Sequence, residues 1–123
     1  MIQIGQTHVS VLHVEEVHTA AHLGSGDMNV LATPIMLALM ENAAMLAVDQ
    51  ELPPEQTTVG AFIQSTHLKP TPVGADIIAT AQLTHIDGRK LDFHVVAMQG
   101  DTVIGEGEHT RYIVDRDRFM AKL

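Results

Sequence analysis

A single acid sits inside the most apolar stretch of the chain. In VLATPIMLALMENAAMLAV, residues 30–48, seventeen of the nineteen residues are neither charged nor amide-bearing, and the exceptions are Glu41 and Asn42. Taking a carboxylate out of water costs on the order of several kcal/mol unless it is paired or its pKa rises. Glu41 is therefore tied to a partner, kept for chemistry, or turned toward solvent or a subunit boundary. His67 is the second candidate. In strict strand alternation it shares the more apolar face with Val59, Ala61, Ile63 and Ser65. An imidazole there is either a satisfied core residue or, with a carboxylate nearby, half of an acid–base pair working near neutral pH. Thr33, just before Pro34, fits a helix N-cap, and that role alone would explain it. Eight residues of helix rise about 12 Å, so Thr33 and Glu41 of one chain do not meet. One site that uses both would draw them from two subunits.

The elements that must carry these residues follow from period and punctuation. THVSVLHVEE (7–16) alternates as a first strand, and LGSGDMNVL (23–31) reads as a loop. Thr33-Pro34 opens a helix that runs to about Gln50 and is stopped by Pro53-Pro54. From Thr57 the period changes to two. TVGAFIQSTHLKP is a strand ended by Pro70, with a turn at TPVG, and ADIIATAQLTHI is the next strand. Asp87-Gly88 and Gly100-Asp101 mark hairpins flanking KLDFHVVAMQ, and TVIGEGEHTRYIVD is the last strand. Gly105 and Gly107 within it predict a bulge or a close backbone contact. The helix is apolar nearly all round, so it must be buried on most sides. The expected architecture is α+β: one domain spanning residues 1–123, a four-strand meander and a first strand wrapped around one long helix, the hotdog arrangement. Such a sheet leaves an edge that invites a second copy.

Composition removes several function classes. There is no cysteine, which excludes disulfides and thiol catalysis. The net charge is −8, and residues 1–68 contain no Lys or Arg, so nucleic acid is not an expected partner. No apolar run reaches the roughly 20 residues that span a bilayer, and MIQIGQTHVS lacks the pattern of a signal peptide. A cytoplasmic protein that works away from membranes is the expectation. His18 and His22 stand at helical i, i+4 spacing, but EEVHTAAH is not the zinc motif, and no metal site is assigned. Ser10 and Ser65 lack the context of a nucleophilic serine.

The stretches LATPIMLALMENAA, TVGAFIQSTHLKPTPVGADI and IGEGEHTRYIVDRDRFMAKL resemble the hotdog-fold acyl-CoA thioesterases, and within them the fluoroacetyl-CoA thioesterase-like group. The likeness runs from about Gly5 to the C-terminus. It puts the family's Thr, Glu and His on Thr33, Glu41 and His67, a family active-site glycine on Gly60 and an arginine on Arg111. What it implies is hydrolysis of an acyl-CoA thioester, without a cofactor, by a homodimer whose sites lie at the subunit interface; two such dimers pairing is a further assembly it allows. In that picture Glu41 is the nucleophile or the base that activates water, His67 manages protons, and Thr33 orients or assists His67. A backbone N–H near Gly60 would hold the oxyanion, and Lys69, Arg89, Lys90 and Arg116 are candidates for the CoA phosphates. One departure stands out. The fluoroacetyl-selective enzyme has phenylalanines in the loop before the helix, whereas LGSGDMNVL has none, which implies a different, wider or wetter acyl pocket.

Two other functions fit the same fold. A non-catalytic acyl-CoA or small-ligand binding module would have little use for a buried acid. A hydratase or dehydratase acting on an acyl thioester would also use a His and a carboxylate, but would leave the thioester intact.

Overall fold

The computed structural model describes residues 1–123. Strand β1 (Thr7–His13) is followed by a 3-10 turn at Glu16–His18 and a one-turn helix α1 (Ala20–Leu23). The long helix α2 (Thr33–Asp49) comes next, then strands β2 (Gln56–Ser65), β3 (Asp76–Asp87), β4 (Lys90–Gln99) and β5 (Thr102–Asp115), and a short helix α3 (Arg116–Ala121). All strand pairs are antiparallel, and the sheet order is β1-β3-β4-β5-β2.

Alternation builds the concave face. Ile77, Ala79, Ala81 and Leu83 of β3 and Leu91, Phe93, Val95 and Ala97 of β4 are all fully buried. They meet Met36, Met40, Ala43, Ala44, Ala47 and Val48 of α2. Alanines on both surfaces let helix and sheet approach closely, while Met, Leu and Phe fill the remaining volume. Each large side chain so buried contributes roughly 1.5–3 kcal/mol. The helix packs mainly against β1 and β3. Its opposite stripe of Pro34, Leu37, Ala38, Glu41 and Met45 is left half-buried or exposed. The expected burial of α2 on most sides is therefore only partly met within one chain.

The sheet departs from a four-strand meander. Only β3, β4 and β5 are joined by hairpins, with Gly88 and Gly100 supplying the positive φ of the two turns. TPVG is not a hairpin turn. After β2 the chain crosses the end of the barrel-like sheet, where Leu31 N–H donates to the carbonyl of the buried Thr71 and Val30 bridges Pro72. This crossover puts β2 at the far edge, paired with β5. The first strand is shorter than expected, because Val14 turns into the core and donates to Ala75.

Gly105 and Gly107 mark close backbone approaches. The register of β4 on β5 shifts between Ala97 and Met98, opposite Gly105, and a Cβ on Gly105 would meet the Thr66 carbonyl and Met36. One on Gly107 would run into the backbone of Gln64 and Ser65.

Candidate active site

The polar groups converge in two places. The first is at the N-terminal end of α2. Thr33 is not the N-cap: Ala32 holds that position without a side-chain bond, and Thr33 and Pro34 form the first turn. The Thr33 hydroxyl is thereby free to pair with His67, its Oγ1 lying 2.6 Å from Nδ1. His67 is not on the strand either. It follows the end of β2, on the segment that still donates from Thr66 N–H to Glu106 and from Leu68 N–H to Ile104. The imidazole Nε2 is buried and has no hydrogen-bond partner. Burial also holds the His67 pKa below the ordinary imidazole value, which favours the neutral ring. Thr33 and His67 open onto a cavity of about 310 Å³ with Ala20, Ser25, Val30, Leu31 and Lys69 on its walls.

The second place is the middle of α2 against the edge strand. A bulge at Ala61 shifts the register of β2, so that Gly60 faces Arg111 and Phe62 faces Thr110. The strict alternation expected to carry His67 inward is broken at this point. Gly60 lacks the Cβ that would lie 2.9 Å from Glu41 Oε2, 3.3 Å from His109 Cε1 and 3.5 Å from Arg111 Nη1. Those three side chains gather over one glycine because a side chain is missing there. Arg111 is buried and donates from Nε to Thr58 Oγ1 at 2.8 Å and from Nη2 to the Thr58 carbonyl at 2.9 Å. Burial lowers its pKa while the nearby Glu41 carboxylate opposes that shift. A guanidinium keeps its charge under such a perturbation. The ion pairs made by arginines go elsewhere: Arg89 and Arg118 both reach Asp115. Glu41 thus faces a buried positive charge without being clamped to it. Its neighbour Asn42 is structural, accepting a hydrogen bond at 2.7 Å from the hydroxyl of Ser10 on β1.

The family profile of the fluoroacetyl-CoA-specific thioesterases (FlK) matches residues 14–117. The fluoroacetyl-CoA thioesterase of Streptantibioticus cattleyicolor is 37% identical over 94 residues, which are 76% of this chain and 68% of that protein. The chain belongs to the fluoroacetyl-CoA-specific thioesterase family. Solved FlK structures superpose accordingly. A threonine-to-serine variant in complex with acetyl-CoA gives a TM-score of 0.93 at 31% identity, covering 98% of this chain and 96% of that one. A phenylalanine-to-alanine variant with fluoroacetate and CoA gives 0.90 at 31% identity, covering 96% and 99%. A thioesterase superfamily member from Thermus thermophilus has the same fold at 22% identity, with a TM-score of 0.90 over 98% of this chain and 90% of that one. The hotdog fold is shared throughout.

Within this FlK-family chain, Thr33 joins His67, and Glu41 joins Gly60 and Arg111. The chain does not bring the two groups together through any side-chain hydrogen bond. Of the basic candidates, Lys69 borders the cavity beside His67. Arg89 is drawn to Asp115 and the Ile113 carbonyl, and Arg116 to the Pro54 carbonyl. His18 and His22 lie on different short helices, and no cluster of three or more potential metal-ligating side chains forms anywhere. His109 and Thr58 escaped the reading of the sequence. The signal for His109 was present in its i, i+2 spacing from Arg111, which puts both on one face of β5.

Proposed function

We propose that this thioesterase hydrolyses a small acyl-CoA thioester to the free acid and CoA, at a site assembled from two copies of the chain. The observation that carries this reading is the convergence of Glu41 and the buried Arg111 over Gly60, in a chain whose family acts on acyl-CoA. Glu41 drives attack on the thioester carbonyl, directly through an acyl–carboxylate anhydride or by taking a proton from water. The carbonyl oxygen becomes an oxyanion, which backbone N–H groups beside Gly60 stabilise. The C–S bond then breaks, and CoA leaves as the thiol with a proton that originates in the water consumed. His67, whose Nδ1 is held by Thr33, relays it. In the direct route that water opens the anhydride to give the free acid and restore the Glu41 carboxylate.

What one chain leaves uncovered supports a dimer. Strand β2 is a sheet edge, Phe62 on it is 51% exposed, and the apolar stripe around Glu41 lies beside it. A second copy across this edge would cover the stripe and bring Thr33 and His67 of one chain toward Glu41 of the other. No helix is long and apolar enough to cross a membrane. The reading is completed by a single hotdog domain, working in the cytoplasm without nucleic acid, membrane or cofactor.

The test is thiol release from a panel of acyl-CoAs, short to long and aryl, by wild type and Glu41→Gln. Turnover by wild type with a loss of about 100-fold or more in the variant is the expected result. No turnover by folded wild type would leave a binding module. A loss of enoyl absorbance with the thioester intact would make the protein a hydratase.

A further inference from the structure

His109 does more than fill the core. Its side chain is 1% exposed, and its ring lies 6.3 Å from that of Phe93, as an apolar residue's would. Yet both of its nitrogens are engaged, each by a different part of the Glu41 neighbourhood. Nδ1 lies 2.7 Å from the carbonyl oxygen of Phe62. A carbonyl only accepts, so Nδ1 carries the proton and donates. Nε2 is then a lone pair, and Arg111 Nη1 donates to it at 3.2 Å. The tautomer is fixed from both sides, and the ring is neutral. Burial reinforces that neutrality, with the Arg111 charge acting in the same direction.

The two partners are not arbitrary. Phe62 is the first residue after the bulge at Ala61, where β2 loses its regular pairing with β5. The imidazole holds the carbonyl of that irregular turn of strand, beside the one glycine whose bareness admits the Glu41 carboxylate. Arg111 is the buried cation facing Glu41, and Thr58 holds only its Nε and Nη2. His109 takes the remaining Nη1. Without it, the guanidinium would be fixed along one side only, and the bulge would lose its side-chain anchor.

We infer that His109 is a positioning residue for this thioesterase, a neutral clamp that joins the Phe62 carbonyl to Arg111 and so sets the backbone and the charge that Glu41 works against. The inference rests on the proposed role of Glu41 in thioester hydrolysis. It ties the chemistry to a buried residue that acts through Arg111 and the Phe62 carbonyl.

The experiment measures kcat and KM on the best acyl-CoA of the panel, with Tm alongside, for His109→Phe, His109→Asn and Glu41→Gln. The Phe variant keeps the volume and loses both hydrogen bonds. Its kcat should fall about 10-fold or more at little-changed KM, since small misplacements of reacting groups have effects of that size. The Asn variant retains a donor for the Phe62 carbonyl and should recover part of the loss. Added to Glu41→Gln, the Phe substitution should cost no further turnover, because both act on one step. A folded Phe variant with wild-type kcat and lowered Tm would overturn the inference and leave His109 a core residue. If the Phe variant does not fold, the Asn variant decides, and wild-type kcat there overturns it equally. A fully active Glu41→Gln would instead bring down the site reading itself, whatever His109 does.

Discussion

The Thr33 hydroxyl and His67 Nδ1 lie 2.6 Å apart, joining residues 34 positions apart in the chain. The pair exists because Thr33 is inside the first turn of α2 rather than capping it, and because the crossover after β2 passes that helix end. A hydroxyl on Nδ1 fixes the ring and leaves the buried Nε2 as its unpaired nitrogen.

If Glu41 of one chain works with Thr33 and His67 of another, inactive variants should complement each other. Glu41→Gln and His67→Gln, each inactive alone, should regain about a quarter of wild-type activity when unfolded together and refolded as a 1:1 mixture. Half of the dimers are then mixed, and each of those has one intact site. Mixtures no more active than the parents would place the whole site within one chain.

Gly60→Ala is expected to spare the fold and damage turnover. The new methyl would sit 2.9 Å from Glu41 Oε2, the free end of a flexible side chain, so the carboxylate moves and the backbone does not. We expect kcat to drop about 10- to 100-fold with Tm nearly unchanged. A large fall in Tm would show that the glycine is needed by the strand rather than by Glu41.

Gly107→Ala should do the reverse. Its Cβ would strike the backbone of Gln64 and Ser65, which cannot swing away, so the β2–β5 pairing itself must yield. Destabilisation of about 1–3 kcal/mol or more is expected in urea unfolding. A variant as stable as wild type would contradict the packing of these strands.

The pH dependence of stability has two limbs of opposite sign. His67 and His109 are both held below the ordinary imidazole value of 6.5 by burial. Their contribution is intact above 6.5 and is lost as pH falls below it, because the unfolded chain binds protons that the folded one resists. His94 on the outer sheet face is raised, chiefly by its bond to Glu108, and it also bonds Glu106; its ring bridges both carboxylates, at 3.0 and 2.8 Å. That contribution is complete below 6.5 and fades as pH rises through the raised value. Tm measured from pH 5 to 8 should therefore fall on the acid side, and His94→Gln should remove the alkaline decline. An acid limb unchanged in His109→Asn and His67→Gln would refute this assignment.

Much of the protein could be read from residue order alone. The switch from a helical to a two-residue period, Pro34 and Pro53-Pro54 around α2, and Gly88 and Gly100 at the hairpins are local signals, and local backbone preferences enforce them. Glu41 stood out for the same reason: one carboxylate in an apolar run is costly wherever the run is buried. Long-range pairing decided the rest. The position of β2 beside β5 comes from a crossover with no hairpin signature, and the bulge at Ala61 is a mismatch between two strands that neither strand encodes by itself. The gathering of Glu41, His109 and Arg111 over Gly60 depends on both. Sequence specifies which groups are available and which surfaces must be covered. Only the tertiary structure, by bringing distant strands into register, determines which of those groups meet.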